Sequence, residues 1–82
     1  MLKGLEMIPN VAMKRMADRM IFGMQTHSAQ GYRHEGNANT YREKAKRHWN
    51  QYVSGQTDED HLAAVMCNIA FLMFHESHQP NQ

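Results

Sequence analysis

Residues 57–75 read TDEDHLAAVMCNIAFLMFH, and the spacing within this run decides the fold class. Leu62, Val65, Met66, Ile69, Leu72 and Met73 recur at intervals of three and four, which gathers them on one face of an α-helix and excludes the alternation of a strand. Thr57 and Asp58 can cap the start of that helix. Asp58, Glu59 and Asp60 crowd its first turn, where the positive end of the helix dipole favours carboxylates, so the acidic run reads first as capping. The apolar face continues to about His75, and Pro80 lies in the tail beyond it.

Upstream, Gly55 stands where a left-handed C-cap is expected, so the preceding helix should end near Val53 or Ser54. Its start is marked by Thr40-Tyr41-Arg42-Glu43, a capping box, and its periodicity sets Tyr41, Ala45, His48, Trp49 and Tyr52 along one side. Arg42, Lys44, Lys46 and Arg47 make it basic. A short turn around Gly55 predicts that the two helices form an antiparallel hairpin over about residues 40–76. A first helix is expected after Pro9 and Asn10, with Val11, Met13, Met16, Ala17, Met20, Ile21 and Met24 on one face. That methionine stripe could serve as an adaptable binding surface, but its spacing is first of all that of a core. Between the first and second helices, residues 28–39 turn polar and carry Gly31 and Gly36, predicting a loop. Tyr32, Arg33, His34 and Glu35 in it could lie over a ligand, or the segment is a solvated connector. The expectation is one all-α, three-helix domain spanning residues 1–82, with an N-terminal segment at 1–9 and a flexible tail at 77–82.

A chain of 82 residues has a thin core, and small scaffolds usually add disulfides, a metal or a partner subunit. The single Cys67 has no intrachain partner, which leaves metal or oligomer, and a homo-oligomer is expected. Cys67 sits among Val65, Met66, Ile69 and Ala70, suiting a buried, reduced thiol in the cytoplasm. Nine Lys and Arg against eight Asp and Glu give a net charge of +1, so the electrostatic footprint of a nucleic-acid binder is absent. Residues 1–9 are too short and too interrupted for a signal peptide, and no apolar run approaches the ~20 residues of a membrane span. Neither nucleic acid nor membrane is an expected partner.

The chemistry-bearing residues lie in the last two helices. His61, Asn68 and His75 are seven apart and form a polar stripe within an apolar wall, and His48 occupies the inward face of the helix before. If the hairpin closes on those faces, His48 shares a cleft with His61 or Asn68. Imidazole and carboxamide groups there can read a base edge, hold a phosphate or, for His, bind a metal; each is also commonly a satisfied interior polar group. No His-Glu-x-x-His, glycine-rich phosphate loop, Cys-x-x-Cys or nucleophile elbow is present. Nor is there a Glu-x-x-Glu of the kind that gives Mg²⁺ its oxygen ligands; of the scattered acids only Asp60 lies near the expected cleft.

Leu5-Glu6-Met7-Ile8-Pro9, Phe22-Gly23, Arg47-His48-Trp49 with Ser54-Gly55, and Asp60-His61-Leu62-Ala63-Ala64 with Asn68 together resemble the phage-associated dATP/dGTP diphosphohydrolase-like family over about residues 5–76. That family is similar to the all-α nucleotide pyrophosphohydrolases of the MazG type, which assemble helices from several subunits around nucleotide and Mg²⁺. The resemblance implies a nucleotide ligand and a site at Arg47, His48, His61 and Asn68, with Arg47 on phosphate and the others on base or sugar. Trp49 and Tyr52 could stack a base, with Asp60, Tyr32 and Arg33 nearby. Lys14 and Arg15 stand where related sequences commonly carry acids, and the loop motif survives only as Gly31-Tyr32. The resulting expectation is a phage-type nucleotide-binding protein that sequesters a nucleotide, such as a signal of host immunity, without cleaving it. An active, Mg²⁺-dependent dNTP diphosphohydrolase is the first alternative, and a protein-interaction module using the Met-rich first helix the second.

Overall fold

The computed structural model describes residues 3–24 and 38–78. Among them four helices and no strand occur: α1 (Lys3–Glu6), α2 (Asn10–Met24), α3 (Ala38–Val53) and α4 (His61–Ser77). The architecture is all-α. The single turn α1, held by Met7 N–H to Gly4 O at 3.1 Å and Ile8 N–H to Leu5 O at 3.2 Å, has no counterpart in the periodicity because it buries nothing. Pro9 then offers its carbonyl to Ala12 N–H and Met13 N–H, which starts α2 at Asn10, one residue before the position expected.

The turn at Gly55 follows from its sequence. Gln56 N–H reaches Gln51 O at 3.1 Å and Gly55 N–H reaches Tyr52 O at 3.0 Å, the paired bonds of a Schellman motif, and Gly55 takes the positive φ of 86° that such an end requires. Two helix starts differ from expectation. α3 begins at Ala38, so Thr40 lies inside the helix and Ala38 and Asn39 are not loop. α4 is capped by Asp60, whose Oδ1 accepts from Ala63 N–H at 3.0 Å, and not by Thr57 or Asp58. Three consecutive acids can each cap, and Asp58 is drawn instead to the His61 ring.

α3 packs on α4, and α2 packs on α4 less extensively. Among the described residues, the buried apolar side chains are Tyr41, Ala45, Ala63, Ala64 and Cys67, and the buried polar ones are His48, His61 and Asn68. Small residues at 45, 63 and 64 let the two helices approach closely. At one end Tyr41 meets Phe71 edge-on at 5.3 Å and stacks on His75 at 5.4 Å; at the other His48 meets His61 at 5.1 Å, so the contacts run in opposite order along the two helices.

Two expectations about apolar faces need correction. No side chain described in α2 is buried, and Val11 and Ile21 are 64% and 60% exposed, so the methionine-rich face is not core within the single chain. Trp49 and Tyr52 are also exposed, because Trp49 turns away from the Tyr41, Ala45, His48 line and Tyr52 lies past the end of the helix contact. No helix among the described residues is long and apolar enough to cross a membrane.

Candidate functional site

A buried polar seam runs where α3 meets the start of α4. His48, on the inward face of α3, and His61, the first residue of α4, turn their Nδ1 atoms on each other at 2.9 Å. The His61 side chain is wholly enclosed, and its Nε2 donates to Asp58 Oδ1 at 2.8 Å. A carboxylate only accepts, so His61 Nε2 carries a proton, and the facing Nδ1 atoms share a single proton between them. Burial pushes the His48 imidazole below its ordinary pKa, with the charges of Arg19 and Arg47 acting in the same direction and that of Glu59 opposing them. Two turns further along α4, Asn68 is buried and donates its Nδ2–H to Ala64 O at 2.8 Å.

Around the seam the carboxylates are claimed by α2. Arg15 binds Asp60 in a two-pronged pair, Nε to Oδ2 at 2.9 Å and Nη2 to Oδ1 at 2.6 Å, and Arg19 Nη2 holds Glu59 Oε1 at 2.6 Å. The Arg15 hydrogen bond lowers the Asp60 carboxyl to about 2. Asp58 is likewise held low by its bond to His61. Cys67, whose thiol points at Met16 O from 3.5 Å, is pushed up by burial, which makes it an inert packing residue.

A second feature lies on the outer face of α3. Glu43, Lys46, Arg47, Asn50, Gln51 and Ser54 recur at helical spacing and, with Gln56 from the turn, line an open groove of about 380 Å³. Gln51 Oε1 is enclosed in its wall without a hydrogen-bond partner among the described residues. Away from the groove on α3, Trp49 and Tyr52 form an exposed aromatic pair with centroids 5.8 Å apart.

The structure therefore divides the sequence-derived residues into two groups. His48 and His61 come together with Asp60 near by and Asn68 is buried farther along α4, whereas Arg47 lines the groove and Trp49 and Tyr52 face solvent. Adjacent residues on a helix point about 100° apart, so Arg47 and His48 serve different faces despite their proximity in sequence. Tyr32 and Arg33 lie outside the described residues. Sequence reasoning missed Glu59, which joins His48 and His61 in a cluster of three ligand-bearing side chains whose donor atoms lie within 4.8 Å of one another. Its place in an acidic run made it look like helix capping; the signal for it was its spacing of two from His61. The cluster does not fit Mg²⁺, which takes oxygen ligands, because two of its three donors are imidazole nitrogens.

No curated protein and no solved structure matches the chain. A family model described as dATP/dGTP diphosphohydrolase, N-terminal, matches residues 3–82. The match covers nearly the whole chain, including both helices of the seam and the groove, and the chain belongs to that family.

Proposed function

We propose that this protein binds a nucleotide on a dNTP diphosphohydrolase-like scaffold and holds it without cleaving it. The observation that carries this reading is the pairing of Arg15 with Asp60 and Arg19 with Glu59. Hydrolysis of a dNTP through Mg²⁺ asks for several carboxylates facing the phosphates, and here Asp60 has both oxygens on Arg15, Glu59 shares one oxygen with Arg19, and Asp58 is bonded to His61. Binding needs no such set. Arg47, with Lys46 beside it, takes phosphate oxygens, and Asn50 and Gln51 read the sugar or base, the Gln51 acceptor, unpartnered among the described residues, calling for an N–H donor such as a purine presents. α3 and α4 act as an antiparallel hairpin that fixes the register of these residues, with His48, His61 and Asn68 buried on the inward side, and a second copy of the chain encloses the pocket. The exposed apolar face of α2 supports such a partner copy. A phage would gain from such a protein by withdrawing a nucleotide signal from its host.

The test is to purify the protein from cells, denature it and identify released small molecules by mass spectrometry. An intact nucleotide in stoichiometric amount supports the reading; none, together with no binding of added dATP or dGTP, removes it. Membership of the family favours a second reading, Mg²⁺-dependent diphosphohydrolase activity, and pyrophosphate release from dATP or dGTP with Mg²⁺ or Mn²⁺ would establish that one instead. The exposure of α2 favours a third, a module that docks a protein partner; it gains ground if Met16→Glu abolishes function while His61→Ala and Asn68→Ala leave it intact.

A further inference from the structure

We infer that His48, Glu59 and His61 form a site for one borderline divalent cation of the Zn²⁺ class, which ties α3 to the beginning of α4. The site uses none of the groove residues and stands whether or not a nucleotide binds. Its three side chains come from α3, from the connecting turn and from the first residue of α4, and their donor atoms already lie within 4.8 Å of one another. The facing Nδ1 atoms are 2.9 Å apart, so an ion about 2.0–2.1 Å from each nitrogen bridges them at roughly 90°, and a separation wider by roughly 0.4 Å gives the tetrahedral angle. Glu59 gives an oxygen: Arg19 engages Oε1, and a carboxylate has a second oxygen for the ion.

The surroundings match what a metal-binding imidazole requires. The far nitrogen of His61 is bonded to Asp58, the carboxylate-to-imidazole bond that fixes the ring's tautomer and turns its other lone pair toward the ion. On binding, the His48 proton moves from Nδ1 to Nε2, so both facing lone pairs are available. Two imidazoles and one carboxylate suit Zn²⁺ rather than Mg²⁺ and leave a fourth position open. A chain of 82 residues with one cysteine has no disulfide to cross-link its thin core, and a metal closing residues 48 to 61 supplies that cross-link.

Titration of the intact protein with Co²⁺, a coloured substitute for Zn²⁺, tests the site. The expected result is one Co²⁺ per chain with the strong visible bands of tetrahedral coordination, displaced by one equivalent of Zn²⁺ and unmoved by excess Mg²⁺, and a melting temperature raised by Zn²⁺ and restored by EDTA. His48→Gln and His61→Gln abolish the bands. Asp58→Asn, which keeps the three ligands, weakens binding roughly 10- to 100-fold, and Asp58→Glu recovers most of it. Glu59→Gln weakens binding at least about tenfold, and its helicity, followed by circular dichroism, is retained, so the loss is readable even if a histidine variant fails to fold. His78→Gln, at an exposed imidazole, changes nothing. Absence of stoichiometric Co²⁺ binding by the unmodified protein overturns the inference, as do bands that persist in a folded His61→Gln protein or vanish in His78→Gln. Failure of nucleotide retention with Co²⁺ binding intact counts against the nucleotide reading alone.

Discussion

Asp60 shows how much one side chain can do in so small a chain. Its Oδ1 caps α4 through Ala63 N–H while both oxygens receive Arg15, so one carboxylate fastens two helices. Asp60→Ala should lower stability by about 1–2 kcal/mol, read by urea unfolding, the cap contributing typically ~1 kcal/mol and the half-exposed ion pair ~0.2–1 kcal/mol. Asp60→Asn keeps the cap and should lose only the smaller part. The sign with pH follows from the depressed pKa: the folded state binds the proton less readily than the unfolded state, so this stabilisation is complete above the ordinary carboxylate range and is lost as pH falls toward about 2. Acid unfolding of Asp60→Asn should therefore have a shallower slope over that window. At the groove, Arg47→Ala should weaken nucleotide binding roughly 10- to 100-fold by calorimetry, since a charged hydrogen bond contributes about 1.5–3 kcal/mol, with no change in helicity. The polar seam itself was legible in the heptad spacing of His61 and Asn68. What sequence could not give was the separation of Arg47 from His48, because neighbours in a motif read as one group while the helix turns them to different faces.

At the scale of elements, the turn at Gly55 is the most strongly determined feature. Its φ of 86° lies where a Cβ is strained, although nothing would contact that Cβ, so Gly55→Ala isolates the backbone term. It should cost about 1–2 kcal/mol, read as a lower urea midpoint with unchanged slope, and Gly55→Asn should cost less. The ends of helices were less legible. Thr40 has the residue types of a capping box, yet α3 starts two residues earlier, because a capping pattern inside a helix remains compatible with helix. Asp58, Glu59 and Asp60 are equivalent as capping candidates in sequence; the bond of Asp58 to His61 and of Arg15 to Asp60, both set by tertiary packing, decide among them.

Among the described residues, three of the eight buried side chains are polar, while large apolar side chains on α2 stay outside. Periodicity correctly marked α2 as an amphipathic helix, but periodicity states only that a face is apolar, not what covers it. A second copy is the cover the account requires. Met13→Glu or Ile21→Glu should lower the mass in solution by light scattering, with α3 and α4 retained, if α2 meets a partner chain. The most direct measurement is native mass spectrometry of the protein mixed with dATP and dGTP in the presence of Mg²⁺. The account predicts an oligomer carrying nucleotide at its full triphosphate mass after prolonged incubation. A monomer without ligand, or accumulation of dAMP or dGMP, would contradict it.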